Sequence, residues 1–388
     1  MDTLNQKRID LIFSHYTTSR YQVLERSLQR PPEEIINELM DAGLKGRGNV
    51  GFPTGMKWKF AKREESPQKY VICNANESET GTFKDREILE RVPRKVLSGM
   101  AICGYCTGAK KGIIYLRYEY AYLKEQLQNE LNIFHESIKK YNLDFSIELF
   151  LGGGSYVSGE ESALIESMEG KRAEPRNKPP YPVISGLYGF PTIVNNVETF
   201  ATAQVICAIG AEEFMKLGTA YSPGSKLFSI SGDTIKPGIH ELELGTTIEE
   251  VVNEFGDKNT KSVQVGGASG FCIPQRLFAE TVIGYEGLTT GGSMIFFNNT
   301  RSMYKVLHEY LRFFAEESCG LCPPCRIGTQ QLLLGIEAVK RGDRPAGYME
   351  VLKKLALNMK TSAKCGLGQS VANPFISILE NFKEEILY

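Results

Sequence analysis

Short apolar runs alternate with helical spacing through the first half of the chain. Tyr70-Val-Ile-Cys73, Gly112–Leu116 and Ser146–Leu151 each run into a polar or glycine-rich segment, which predicts three strands, the first of them buried. Helical spacing follows each, from about Asp85, over Glu119–Lys140, and from Glu160 to about Gly170. Three strand–helix units predict an α/β domain with a parallel sheet and a ligand face at its carboxyl edge. Upstream, residues 1–44 read as helical: Pro31-Pro32 opens a helix with Ile35, Ile36, Leu39 and Met40 on one face and Gly43 as its cap. Lys45–Phe60 begins with four glycines and a proline in eleven residues, which predicts irregular loop. After a loop-rich Pro179–Thr199, strands at Lys226–Ile230 and Ser262–Val265 surround a helix at Ile248–Phe255 and predict a compact α+β module. From Tyr304 the pattern is helical to the end, over Tyr304–Glu317, Gln330–Lys340, Met349–Met359 and Val371–Glu385, a small helix bundle. The expected units are 1–44, 45–222, 223–302 and 303–388.

Charge and composition narrow the class. The chain has 388 residues, 45 Lys and Arg against 46 Asp and Glu, and net charge −1, so nothing points to nucleic acid or an anionic membrane. The N-terminus carries Lys7, Arg8 and Asp10 with no apolar signal core, and the uncharged run Pro179–Val197 holds four prolines, so no direct membrane insertion is expected. Nine cysteines in a chain this long suit a reducing compartment, and the expectation is a soluble cytoplasmic protein.

The chemistry concentrates in Glu317-Ser-Cys-Gly-Leu-Cys-Pro-Pro-Cys-Arg326. Cys319, Cys322 and Cys325 stand two residues apart, and a fourth thiol, Cys365, lies in Ala363-Lys-Cys-Gly-Leu-Gly368. Three close thiolates with a remote fourth suit a cubane iron–sulfur cluster. A structural zinc site would more often pair two C-x-x-C motifs or mix in histidine, and only His308 is near; a CPPC redox pair would need no third or fourth thiol. Cys103 and Cys106, at helical spacing, read as packing residues, as do Cys73, Cys207 and Cys272 in apolar strings. The loop after Lys45 can cradle a phosphate on backbone N–H groups, with Arg47 and Lys57 as cations, or be an ordinary turn. Polar residues at strand ends, Asn74–Gly81, Gly152–Glu161 and Asn195-Asn196, fall where α/β sheets bind ligands. Glu160 and Glu161 also suit a helix start, and the paired asparagines a turn.

The strings GRGNVGFPTGMKW, NANESETGTFKDREI, SGEESALIESMEG, PTIVNNVET and SCGLCPPCRIGT, in one order from residue 44 to the C-terminus, resemble the flavin-carrying NADH-oxidising subunits of respiratory complex I. They resemble equally the diaphorase subunits of NAD-linked hydrogenases and formate dehydrogenases. The resemblance implies a Rossmann-like FMN domain, a ubiquitin-like β-grasp module and a four-helix bundle with a [4Fe–4S] cluster on Cys319, Cys322, Cys325 and Cys365. It implies hydride exchange between NAD(H) and FMN, with Gly46, Gly48, Gly51, Lys57, Asn74, Asn76, Tyr156, Gly159, Glu160, Val194, Asn195, Asn196 and Thr199 around the flavin. Phe52, Phe60 and Tyr181 would stack the adenine, Glu77, Glu79, Glu161 and Lys178 would surround the nicotinamide and riboses, and Glu79 and Glu161 would position the reacting ring. Partners implied are a small thioredoxin-like [2Fe–2S] subunit and a larger iron–sulfur electron-transfer subunit.

Against the usual pattern of such proteins, this chain carries Asn49, Val50, Asn76, Thr80 and Ser158. Asn49 and Val50 would narrow the loop, and Asn76 removes a charge beside the flavin. Two rival readings stand beside the main one: an electron-bifurcating or ferredoxin-linked flavin subunit, and a scaffold that keeps the cluster without binding NADH.

Overall fold

The computed structural model describes residues 9–14, 21–48 and 51–387. The expected helix over the first residues falls partly outside that range, as do Asn49 and Val50. Within it, α1 (Gln22–Leu28) and α2 (Pro32–Asp41) form. Helix α2 buries Ile35, Ile36 and Leu39 and ends as expected at Gly43, whose φ of +63° lets its N–H reach Met40 O while Leu44 N–H returns to Leu39 O.

The segment expected as loop to Phe60 is half helical. Helix α3 (Thr54–Arg63) starts directly after Pro53 and is anchored by Trp58, which is fully buried. Proline at a helix N-cap costs no hydrogen bond, so the glycine-rich stretch ends there.

Four strands, β1 (Tyr70–Ala75), β2 (Lys111–Leu116), β3 (Ser146–Leu151) and β4 (Thr192–Asn196), make an all-parallel sheet ordered β3-β2-β1-β4. Of the two readings open for Asn195 and Asn196, a strand end or a turn, the structure has them end strand β4. The single helix expected after β1 is two, α4 (Lys84–Arg91) and α5 (Pro93–Thr107), because Pro93 forces Val92 out of helical geometry at φ −137°. Helices α6 (Lys124–Ile138), α7 (Glu161–Met168), α8 (Val197–Ile209) and α9 (Ala211–Met215) complete this part. Cys103 and Cys106 point into its core, as their spacing predicts.

Helices α5 and α8 approach backbone to backbone at Gly99. A Cβ there would lie 2.1 Å from Phe200 O and 2.7 Å from its carbonyl carbon. Gly99→Ala is therefore expected to push the two helices apart and cost about 1–3 kcal/mol, read as a lower urea midpoint. An unchanged midpoint would mean that the contact yields freely.

The second sheet has β5 (Ser225–Gly232), β6 (Gly238–Glu243), β7 (Thr260–Val265), β8 (Phe271–Pro274) and β9 (Ser293–Asn298), ordered β6-β5-β9-β7-β8, with β5 and β9 parallel and the other pairs antiparallel. Helix α10 (Ile248–Phe255), capped by a reciprocal Thr247–Glu250 box, buries Ile248, Val251 and Phe255 against it. Glu241 on β6 accepts from Leu11 N and Ile12 N, and Lys95 on α5 donates to Leu11 O and Ser14 O, so residues 9–14 are strapped to the second sheet and to α5.

The rest is helical: α11 (Met303–Glu317), α12 (Pro323–Lys340), α13 (Tyr348–Ser362), α14 (Gly366–Ser370), α15 (Ala372–Asn381) and α16 (Lys383–Leu387). Helix α12 begins at Pro323, not near Gln330, so Cys325 sits in its first turn. No helix of the described residues is long and apolar enough to cross a membrane.

Candidate functional site

The chain runs outward from β1 through β2 to β3, then crosses back to place β4 on the other side of β1. A crevice opens at such a reversal, outside the carboxyl ends of the strands. Asn74 of β1 and Asn196 of β4 are register partners at that point. The cleft there encloses about 1040 Å³ of atom-free space open to solvent. Of the residues expected from sequence, it is lined by Gly48, Asn74, Asn76, Glu77, Glu79, Tyr156, Gly159, Glu160, Asn196 and Cys365.

Its polar wall is mostly satisfied from within. Asn74 donates to Gly159 O at 2.9 Å and accepts from Asn76 N at 3.0 Å. Asn76 donates through Nδ2 to Ser78 Oγ and Ser155 O, which fixes the amide's orientation and leaves Oδ1 buried without a partner. Arg47, 1% exposed between Gly46 and Gly48, leaves Nε and Nη2 unpartnered. Its third nitrogen, Nη1, donates to Tyr285 Oη at 3.4 Å. One unpartnered acceptor and a guanidinium with two unpartnered nitrogens in a glycine-rich loop are what the ring N–H and the phosphate of a flavin mononucleotide could partner. The residues therefore fit such a group.

Lys84 and Asp85 also line the cleft and open a buried charged network that the sequence reading missed. Lys84 meets Asp85 at 2.6 Å and Glu198 at 2.9 Å, and donates to Asn196 Oδ1 at 3.2 Å. Glu198 also takes Lys226 at 3.0 Å and Leu227 N at 2.9 Å, tying α8 to β5 of the second sheet. Burial opposes ionisation of Glu198, but Lys226, Lys84 and Arg47 outweigh it and hold its carboxyl down at about 2. Burial likewise disfavours the Lys84 ammonium, yet Asp85, Glu198 and Glu77 keep it protonated above the ordinary lysine range. From sequence, this stretch was read only as the start of a helix near Asp85; the signal was a charged pair opening a helix directly after a strand-end ligand loop.

Glu77 accepts from Asp85 N, Arg86 N, Thr82 Oγ1 and Tyr120 Oη, so its carboxylate caps α4. Burial and then Asp85 push it up to about 7. Glu79 joins three parts of the fold: it accepts from Tyr156 Oη at 2.8 Å and from the Ser269 hydroxyl of the second sheet's loop, and burial raises its carboxyl. Tyr156 N in turn donates to Glu317 at the end of α11, and its ring meets Phe313 edge-on at 5.0 Å.

At the rim, Glu160 caps α7 through Ser162 N and Ala163 N. Lys178 bridges Glu160 at 2.7 Å and Glu161 at 3.0 Å, and Lys57 bridges Glu161 at 3.2 Å while donating to Val194 O at 3.0 Å. Burial resists ionisation of Glu161, but Lys57 and Lys178 keep it below the usual carboxylate range. Asn195 and Thr199 stand behind the wall: Asn195 accepts from Trp58 Nε1 at 3.1 Å and Thr199 from Arg47 N at 2.9 Å. Gly46 and Gly51 lie in the adjoining loop, and Gly51 (φ +66°) packs under Tyr285, where a Cβ would come within 2.5 Å of the ring. Phe52, Phe60 and Tyr181 do not line the cleft but are exposed at 44, 38 and 52%, high for aromatic rings.

Cys319, Cys322, Cys325 and Cys365 surround a second cavity with Pro175, Ser318, Leu321, Lys364 and Leu367, and all four thiols are free. Gly368 makes room for them; a Cβ there would stand 3.0 Å from Cys325 Cβ and 3.3 Å from its Sγ. Among the described residues no three His, Cys, Asp or Glu are close enough to share one ion. Four thiols spread around a cavity suit a polynuclear cluster, whose irons hold the ligands apart, better than a tetrahedral zinc cage. Cys365 belongs to both cavities, so the cleft and the thiol site share a wall.

Two family descriptions match the chain: "Nuo51 FMN-binding domain" over residues 39–205 and "NADH-ubiquinone oxidoreductase-F iron-sulfur binding region" over 305–388. The NAD-reducing hydrogenase HoxS subunit alpha of Cupriavidus necator is 42% identical over 96% of this chain, which spans 63% of that relative. The NADP-reducing hydrogenase subunit HndC of Solidesulfovibrio fructosivorans is 39% identical over 94% of this chain and 78% of its own length. A crystal structure of an NAD+-reducing [NiFe]-hydrogenase in the H2-reduced state superposes with a TM-score of 0.92 at 39% identity, covering 98% of this chain and 66% of that one. The chain belongs to the family of subunits that join a Nuo51-type FMN-binding domain to an NADH-ubiquinone oxidoreductase-F iron–sulfur region.

Proposed function

We propose that this chain exchanges a hydride between NAD(H) and FMN in the cleft and trades single electrons with a [4Fe–4S] cluster on Cys319, Cys322, Cys325 and Cys365, as one subunit of a larger redox complex. The observation that carries this is the shared wall at Cys365, since a two-electron donor and a one-electron carrier must be close neighbours.

In this reading the protein's work is orientation. Gly46, Gly48 and Gly51 bring backbone N–H groups to the flavin phosphate, with Arg47 as its cation, and Asn76 Oδ1 accepts from the ring. Asn74 holds the Gly159 carbonyl, Val194 anchors Lys57, and Asn195 and Thr199 brace Trp58 and the loop from behind. Glu79 and Tyr156 set the floor where the nicotinamide would lie. The Lys57–Glu161–Lys178–Glu160 chain of ion pairs offers carboxylates for ribose hydroxyls, and the exposed rings of Phe52, Phe60 and Tyr181 offer faces for the adenine. The strand order β6-β5-β9-β7-β8 around one helix supports the β-grasp reading for residues 223–302, and α11, α12, α13 and α15 support the four-helix bundle for 303–388. Residues 45–222 form the Rossmann-like unit. A small [2Fe–2S] subunit and a larger iron–sulfur subunit are the partners, on the cytoplasmic side.

The test is anaerobic purification and an absorption spectrum before and after NADH. Bleaching of the flavin band with a new cluster signal in EPR supports the reading, and repeating with NADPH determines the donor. A bound flavin and cluster that neither nucleotide reduces would reject it. Replacing both Glu79 and Glu161 by Gln is expected to lower NADH turnover with ferricyanide at least about tenfold, since two charge-assisted acceptors are lost. Unchanged turnover and KM would remove both residues from the binding role.

A further inference from the structure

The carboxylate of Glu79 is held from two sides, and both holders are tied to the helical part of the chain. On one side Tyr156 Oη donates to Glu79 Oε2 at 2.8 Å, while Tyr156 N donates to Glu317 Oε2 at 2.9 Å and the ring packs on Phe313. Glu317 closes α11, just before Cys319. On the other side the Ser269 hydroxyl donates to the same Oε2. Asn373, in the first turn of α15, donates through Nδ2 to Ser269 O at 2.9 Å. Between these holders the loop from the second sheet is pressed against Glu79. Gly267 has φ +60°, and a Cβ on it would come within 2.5 Å of Thr80 O and 2.6 Å of Glu79 Oε1. Thr80 fastens the same loop: its Oγ1 accepts from Ala268 N at 2.6 Å and its carbonyl from Ser293 Oγ at 2.7 Å. The other oxygen of Glu79 is held loosely. Its donors are Thr80 N at 3.2 Å and Ser269 N at 3.3 Å, both long for an amide, so Oε1 can exchange them for an incoming hydroxyl while Oε2 stays fixed.

We propose that Asn373 and Glu317 are positioning residues for the nucleotide: they fix Ser269 and Tyr156, and through them the geometry in which Glu79 meets its ligand. Neither lines the cleft, so both act through Glu79 rather than on the ligand. This rests on the nucleotide-binding role given to Glu79 above, and adds that the helical part completes a site whose other walls belong to the parallel sheet. Ser269 is buried, so water cannot take over for a lost tether unless the loop opens. A plain staple between parts of the fold would need no carboxylate of the cleft at the meeting point of both tethers; here Glu79 accepts from both.

The first measurement is NADH oxidation by the holoprotein with ferricyanide as acceptor. Asn373→Ala and Glu317→Ala are each expected to raise the KM for NADH about fivefold and to leave kcat within about twofold, as the loss of one hydrogen bond behind a binding group would. Glu317→Gln keeps an acceptor for Tyr156 N and should stay within about twofold of the wild-type KM. In a Glu79→Ala background Asn373→Ala and Glu317→Ala should add less than about 1.5-fold, because the carboxylate they act through is gone. Penalties that multiply in that background, or an unchanged KM in both single variants, would overturn the proposal. Should Asn373→Ala fail to fold, the Glu317 variants decide by themselves. The second measurement needs no nucleotide. Hydrogen exchange at the amides of Thr80 and Ser269, which donate to Glu79, should be at least about fivefold faster in Asn373→Ala than in the wild type. If NADH does not reduce the wild-type protein, the donor reading falls and exchange decides: faster exchange keeps the two-sided hold on Glu79, and unchanged exchange overturns it.

Discussion

Glu198→Gln is expected to cost about 3–5 kcal/mol of unfolding free energy, the range found when one partner of a buried ion pair is removed. The side chain is 1% exposed and serves Lys84, Lys226 and Leu227 N at once. Without its charge, the Lys84 ammonium keeps its contact with Asp85, while Lys226, which burial already pulls down to about 7, loses the carboxylate that favours its charged form. The acid limb gives an independent check. The Glu198 carboxyl sits at about 2 against an ordinary 4.5, so its stabilisation is present above pH 4.5 and is lost as pH falls towards 2. That shift corresponds to about 3 kcal/mol. The variant should therefore lose less stability than the wild type over that interval. Trp58, the single tryptophan and fully buried, reports the unfolding of this part of the chain by fluorescence. A penalty under about 1 kcal/mol with an unaltered acid limb would mean that the network is dispensable.

Cys365→Ser should empty the thiol site: iron and acid-labile sulfide fall to background and the cluster signal disappears. Its thiol is one of only four around the cavity, and a serine hydroxyl is a poor thiolate substitute. Flavin retention should survive, because the groups proposed to hold it belong to the parallel-sheet part, whereas reduction of one-electron acceptors through the thiol site should not. Cys103→Ser is the contrasting control. Cys103 is fully buried in α5 and far in sequence from the cavity, so iron content should be unchanged while stability drops. Zinc in place of iron in the wild-type protein, or a Cys365→Ser protein with full iron, would refute the cluster assignment.

Much of this arrangement was readable residue by residue. Ser146–Leu151 and Ile248–Phe255 coincide with β3 and α10, because apolar Ile147, Leu149 and Leu151 at alternate positions and a strongly amphipathic segment behind a Thr–Glu box each have one stable form. Strand β6 escaped notice because Gly-Ile-His-Glu-Leu-Glu carries two carboxylates, and Glu241 is tolerated inside only because Ser225, Leu11 and Ile12 supply donors. Helix α3 was hidden by the glycines before it; its anchor Trp58 needs Asn195, some 137 positions later, as a partner.

The sequence by itself determined the parallel sheet, the side of it that faces a ligand, and the four thiols. Those follow from local periodicity and short-range spacing, which the chain states directly. Only the tertiary structure decided that β4 crosses to the far side of β1 and opens the cleft, that Lys84, Glu198 and Lys226 lock the two sheets together, and that Cys365 serves the cleft and the thiol cavity at once. Each of these depends on groups more than a hundred residues apart. Their charges and hydrogen bonds acquire large energies only when burial removes water from around them, and no local pattern records that.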